Sequence, residues 1–247
     1  MEGVRSYEFD FGGRPLTLEF GRVAKQANGS VLAKYGDTTV LVTATVSKQP
    51  KEHLDFFPLT VDVEERLYAV GRIPGSWGRR EGRPPEKAIL QARVTDRPIR
   101  PLFPKGLRNE VQIVIMPLAI EHDYSPEVVG MVGASAALTV SDIPWNGPVA
   151  GVEVGLVDGK FVLNPNVQET EESDLRLTVT GTKDAVLMVE AGANQIPENV
   201  MVDAIMFGHE QIKKLCEFQL KIASEIGKEK LELPVYLPDQ EVQSKVS

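Results

Sequence analysis

"SVLAKYGDTTVLVTATV", residues 30–46, decides the fold class. Two runs rich in apolar and β-branched residues flank Gly36-Asp37, a two-residue connection of the kind that closes a β-hairpin. Outward toward the N-terminus, "YEFDF" and "LTLEF" alternate in the same way, with Gly12-Gly13 as the turn between them. "FFPLTVDV" (56–63) is a further strand, and Pro58 belongs at a sheet edge or strand start because it donates nothing to a ladder. Outward toward the C-terminus, "EVQIVIMPLAI" (110–120) reads as a strand buried on both faces or nearly so. "VAGVEVGLVDGKFVLNP" (149–165) reads as a hairpin turning at Asp158-Gly159, and "LRLTVTG" and "AVLMVEAG" as two more strands.

Helices stand singly among these strands. "EKAILQARVTD" follows Pro84-Pro85 and should end near Arg97, since Pro98 disfavours helical backbone in the residue before it. "SPEVVGMVGASAALTVS" (125–141) opens with Ser125 as N-cap, Pro126 at the first helical position and Glu127 complementing the dipole. Its Gly130, Gly133, Ala134, Ser135 and Ala136 predict close packing against a neighbour. A long helix is expected over residues 197–226, with Val202, Ile205, Met206, Ile212, Leu215 and Leu220 as its apolar stripe and Gly227 as its stop. Strands dominate and no regular βαβ winding appears, so the class is α+β, mixed sheets packed with a few helices. One domain spans 1–226; residues 227–247, polar with two prolines, read as the start of a linker.

The 247 residues can bury a substantial core. A single cysteine, Cys216, excludes an intrachain disulfide and a thiolate metal cluster. It sits within a helix and reads as packing. No apolar run reaches the roughly 20 residues that span a bilayer, and the polar start carries no signal-peptide pattern. These features predict a cytoplasmic protein with no membrane partner.

Against a net charge of −8, the stretch "GRIPGSWGRREGRPPEKAILQARVTDRPIRPLFP" (71–104) carries seven arginines and one lysine. Any charge run is first a solvated face. Here, however, the arginines sit in a Gly/Pro loop rather than alternating with glutamates, and Arg is used in place of Lys, which suits bidentate grip on phosphate. Trp77 stands beside Arg79 and Arg80, a stacking ring next to phosphate-binding forks, and single-stranded nucleic acid is the ligand that uses both. Arg93 and Arg97 are i,i+4 neighbours on one helix face. His53, His122 and His209 lack ligand spacing. His122-Asp123 reads as a loop-end polar pair, and His209 as a satisfied core or interface residue. No nucleophile–base arrangement, P-loop or dinucleotide fingerprint is present. The helix start at Ser125 reads as a cap rather than a phosphate site, because Pro126 removes a donor and Glu127 adds negative charge.

"FFPLTVDVEERLYAVGRIPGS", "RREGRPPE", "DRPIRPLFP", "GASAAL" and "VLNP" resemble the first core domain of bacterial polynucleotide phosphorylase, over residues 5–226. The resemblance implies the RNase PH-like fold (ribosomal protein S5 domain 2-like). It implies 3′-to-5′ phosphorolysis of RNA by a longer polypeptide, with inorganic phosphate as co-substrate and nucleoside diphosphates released, and the reverse polymerisation. It also implies a homotrimeric ring, Mg²⁺ bound by a second RNase PH-like core, KH and S1 RNA-binding domains, and ribonucleases of an RNA degradosome as partners. Carried over by position, Ser76-Trp77-Gly78-Arg79-Arg80 matches the RNA-gripping loop of the central channel. Relatives carry two phenylalanines where Trp77 and Gly78 stand, so one stacking ring is missing. Arg93, Arg97 and Arg100 match RNA-path arginines.

The catalytic features of the second core do not carry over. Its serine-rich phosphate loop is replaced here by Ser125-Pro126-Glu127, and its paired aspartates by Thr170 and Arg176, so no catalytic or metal residue is assigned. The expected role is an RNA-guiding, ring-forming core. Two other readings are a self-sufficient phosphorolytic exoribonuclease like RNase PH, and a non-enzymatic scaffold of a ring.

Overall fold

The computed structural model describes residues 3–51, 53–75 and 77–237. Six strands form the first sheet: β1 (Arg5–Asp10), β2 (Pro15–Phe20), β3 (Gly29–Tyr35), β4 (Thr38–Pro50), β5 (Leu59–Val63) and β6 (Asn109–Ala119). Their order is β1-β2-β3-β4-β6-β5. The hairpin expected around Gly36-Asp37 is β3–β4, with Tyr35 opposite Thr38 and Gly36 at φ +57°. Only β5 joins in parallel, against β6. It is an edge strand, and Pro58, lacking an N–H, gives its carbonyl to the amide of Val111 at 3.0 Å.

The second sheet holds β7 (Ala150–Val157), β8 (Lys160–Leu163), β9 (Leu175–Gly181) and β10 (Val186–Ala193), all antiparallel in the order β10-β9-β7-β8. Asp158 (φ 48°) and Gly159 (φ 72°) both take the left-handed conformation that a two-residue hairpin turn needs. The architecture is the α+β arrangement expected from the strand pattern.

Four helices complete the described residues: α1 (Glu86–Ile99), α2 (Pro126–Val140), α3 (Val167–Glu172) and α4 (Glu198–Ile226). In α2, every residue except Glu127 and Thr139 is buried. It lies between the sheets, packing on β3, β4 and β6 and also on β7 and α4. Ser125 caps it, accepting from the Glu127 amide at 3.2 Å. The small residues allow this enclosure: a Cβ on Gly133 would stand 2.7 Å from Cγ2 of Val42, and one on Gly130 would stand 2.9 Å from Cγ2 of Ile115.

Several expectations need correction. β6 is not buried on both faces. Val111, Ile113, Ile115 and Pro117 are buried under α2, while the intervening residues are partly or fully exposed. The first helix does not stop at Arg97; it runs through Pro98 to Ile99 and tightens into a 3₁₀ turn, Arg100–Leu102. A proline in the last turn forfeits one ladder bond, and the helix absorbs it. In α4 the buried face is Ala204, Gly208, His209, Ile212, Leu215, Cys216, Gln219 and Ile222, whereas Val202, Met206 and Leu220 are 45–57% exposed. Small and polar residues let α4 approach β7 and β9 closely, and an apolar count cannot see them. His209 faces the Thr182 carbonyl at 3.1 Å and Gln219 donates to the Val149 carbonyl at 2.9 Å. Gly227, at φ −63°, ends the helix in extended backbone rather than in a left-handed cap. A short helix not expected from the sequence, α3, carries a reciprocal capping box between Asn166 and Glu169.

The packing around α2 yields a test. Alanine at Gly133 gains roughly 1 kcal/mol of helix propensity but overpacks a buried, χ1-restricted valine at a cost of about 1–3 kcal/mol. Gly133→Ala should therefore lower stability by up to about 2 kcal/mol in urea titration, while Gly192→Ala, with nothing within 4 Å of its new Cβ, should stay within about 0.5 kcal/mol of the parent.

Candidate nucleic-acid interface and the adjoining cleft

The segment between β5 and α1 leaves the sheet through a 3₁₀ turn, Leu67–Val70, and returns as an extended Gly/Pro loop. Glu81 closes the base of the loop, its Oε1 accepting from the Leu67 amide at 3.0 Å. One of the three acids in the basic segment thus holds backbone. At the tip Trp77 is fully exposed, at 103% relative accessibility. Beside it Arg79, with φ 47°, and Arg80 are exposed. Ser76, part of the same expected loop, lies outside the described residues.

The three helical arginines differ in commitment. Arg93 is exposed on α1, with no ion pair among the described residues. Arg97 stands 3.7 Å from the Glu190 carboxylate, with both side chains more than half exposed. An ion pair that open and that long contributes little and is readily exchanged. Arg100 is engaged. Its Nε and Nη2 donate to Asp96 at 2.7 and 2.5 Å, Nη1 donates to the Phe57 carbonyl at 3.1 Å, and Nη2 also donates to the Leu59 carbonyl at 3.0 Å. It ties the end of α1 to the start of β5.

Behind the loop opens a cleft of about 890 Å³, lined among others by Arg66, Arg83, Lys87, Ser125, Glu153 and Arg176. Ser125-Pro126 at the start of α2 and Thr170 on α3 meet there with Arg176 on β9, so the positions that the sequence comparison set against the second core's phosphate loop and aspartates share one cavity. His122 and Asp123 lie on its wall. That wall is braced by Arg14, whose guanidinium lies 3.8 Å from the Tyr124 ring centroid and donates to Glu121 at 2.7 Å.

Glu153 is the acid that the sequence reading missed. It is 9% exposed, with its amide held by the Asn164 side chain at 3.1 Å. Burial first, then the negative charge of Glu127, raises its pKa, and Arg176 and Lys87 pull it partway back. The signal was available: Glu153 is the one charge inside the apolar run "VAGVEVGLV". Cys216 is buried, and burial pushes its thiol up to about 12, as packing rather than reactivity requires.

The cleft does not fit a phosphorolytic metal site. Magnesium is held through carboxylate oxygens; here a hydroxyl and a guanidinium stand at the compared positions, and no group of three or more His, Cys, Asp or Glu among the described residues is arranged to hold a metal ion. No step is derived through one.

Residues 12–144 match the family model described as 3′ exoribonuclease family, domain 1, and residues 147–211 match domain 2 of the same family. The chain belongs to the 3′ exoribonuclease family. The two matched stretches correspond largely to the first sheet with α1 and α2, and to the second sheet with the first half of α4. Among curated relatives, the polyribonucleotide nucleotidyltransferase of Anoxybacillus flavithermus is 61% identical over 96% of this chain and 34% of its own length. That of Geobacillus kaustophilus is 58% identical over 98% of this chain and 33% of its own. The chain thus spans about a third of the length of these relatives. Two solved structures share the exoribonuclease fold. One is a chain of the Archaeoglobus fulgidus exosome with RNA bound to the active site (TM-score 0.62, 23% identity, 87% of each chain). The other is rice (Oryza sativa) Rrp46 (TM-score 0.67, 14% identity, 85% of this chain and 95% of that one). No helix among the described residues is long and apolar enough to cross a membrane.

Two measurements follow from this geometry. Arg100→Met removes three groups of hydrogen bonds from a partly exposed charge and should cost about 1–2 kcal/mol in denaturant unfolding. For Glu153 the folded pKa lies above the unfolded one, so the stability contributed by its neutral form is present at low pH and is lost as pH rises through the folded value. Glu153→Gln should therefore raise the melting temperature at pH 7, with the gain shrinking as the buffer is taken toward the carboxyl range.

Proposed function

We propose that this chain is the first, RNA-guiding core of a polynucleotide phosphorylase, which grips single-stranded RNA while a second core of the longer polypeptide carries out phosphorolysis. The observation that carries the reading is the exposure of Trp77 with Arg79 and Arg80 beside it, together with the solvent-facing Arg93 and Arg97 of α1. Guanidinium forks take phosphate oxygens, and the indole offers a sequence-tolerant stacking surface. Arg100 contributes by fixing the helix that presents the other two. The high identity to relatives named polyribonucleotide nucleotidyltransferase supports the reading.

In this reading inorganic phosphate and Mg²⁺ are bound by the second core, and RNA is released as nucleoside diphosphates. Three subunits close a ring in the cytoplasm, and KH and S1 domains and degradosome ribonucleases act alongside it. The cleft under Glu153 does not cut, because Arg176 and Thr170 stand where metal-binding carboxylates would be needed.

The 247-residue chain should bind a single-stranded oligoribonucleotide with steep salt dependence and release no nucleoside diphosphate from RNA and phosphate. Replacing both Arg79 and Arg80 by Ala should lower the slope of log affinity against log salt by about 1.4, at roughly 0.7 per phosphate contact on a single strand. Trp77→Ala should cost about 1–3 kcal/mol of binding with the slope unchanged. Fluorescence anisotropy across a salt series reads both. Unchanged affinity of the double variant at low salt would refute the grip, and diphosphate release by the purified chain would favour a self-sufficient phosphorolytic enzyme.

A further inference from the structure

The residues after α4, "KEKLELPVY" (228–236), contain no helix, yet they are fastened along the body at both ends. The amide of Lys228 donates to the Val140 carbonyl at 3.0 Å, that of Leu231 to the Asp142 carbonyl at 2.8 Å, and that of Tyr236 to the Gly106 carbonyl at 2.9 Å. Val235 bridges to Leu107, and the Arg108 guanidinium lies 4.4 Å from the Tyr236 ring centroid. Gly106, at φ +80°, admits the strand: a Cβ there would sit 2.9 Å from the Tyr236 carbonyl carbon and closer still to its oxygen.

The strongest contact is chemical as well as geometric. The last turn of any helix leaves carbonyls without intrahelical partners, at the negative end of the dipole. α2 has no basic residue in its own last turn. Lys230 supplies one from about ninety residues away, its Nζ donating to the carbonyls of Leu138, Thr139 and Ser141 at 2.9, 3.2 and 2.7 Å. Half-burial pushes the amine down to about 8, while Asp142 works the other way. Lys228 makes a second such contact, donating to the Asn28 carbonyl at 2.7 Å.

We infer that the end of α2, Asp142 and the Gly106–Arg108 turn form a docking groove for the chain's own residues 228–236, with Lys230 as the key that seats them. The segment is then a latch. It fixes the path of the chain as it leaves α4 and seats Tyr236 against the turn that follows α1 and Phe103. The chain leaving α4 is held against the end of α2 and the Gly106–Arg108 turn instead of swinging freely.

Hydrogen exchange on the whole 247-residue chain tests this. The amides of Lys228, Leu231 and Tyr236 should exchange at least about tenfold slower than free peptide. Lys230→Met, which keeps the apolar stem and loses the ammonium, should speed exchange at Lys228 and Leu231 about tenfold or more while β3 and β4 amides stay protected. Should that variant loosen the core as well, Leu231→Pro, at an exposed position, removes the amide that donates to Asp142 and restricts the backbone around it, and should release the same segment. Intrinsic exchange rates at 228–236 in the parent, or protection there unmoved by both variants, would overturn the latch.

Discussion

The buried helix α2 is the constraint on which the rest of the structure depends. It has almost no face of its own toward solvent, so both sheets and α4 must close on it, and they can do so only because Gly130 and Gly133 present no side chain to Ile115 and Val42. Its two ends then become the two places where polar chemistry must be settled. At the N-terminus Ser125 takes an orphan amide and borders the cleft. At the C-terminus the free carbonyls are met by an ammonium from a segment outside every regular element. A helix enclosed in this way organises its surroundings from both tips, because unpaired backbone groups away from water are costly.

Distance separates the arginines into two kinds of work. Arg100 spends its donors on Asp96 and two backbone carbonyls, and so holds α1 to β5. Arg97 faces Glu190 at a distance and exposure where water competes well, and Arg93 stands open. The helix that carries Arg93 and Arg97 is thus held in place by Arg100. Rigid presentation of this kind lowers the ordering cost of binding.

The cleft behind the loop gathers charges of both signs on one wall. Arg176 brings positive charge to the cleft, while burial raises the pKa of the nearly enclosed Glu153. Charge of both signs is partly neutralised in place, as shown by Lys87 at 3.8 Å from Glu127.

Much of this was legible along the chain, because it depends on local rules. Hairpin turns at Gly36-Asp37 and Asp158-Gly159, the Ser125 cap, the edge position of Pro58 and the small residues of α2 each follow from backbone geometry within a few residues. The arginine-rich segment, its tryptophan and its likeness to a family were likewise plain in the one-dimensional order. Which arginine is spent on its own fold was not, since Phe57, Leu59 and Glu190 are distant in sequence. The buried face of α4 escaped because Gly208, His209 and Gln219 pack where an apolar pattern points elsewhere. The docking of residues 228–236 escaped because their partners are carbonyls, which every residue possesses and no sequence distinguishes. Sequence by itself determined the elements, the charge and the family; tertiary structure alone decided which charges remain for a ligand, because pairing is set by proximity in space.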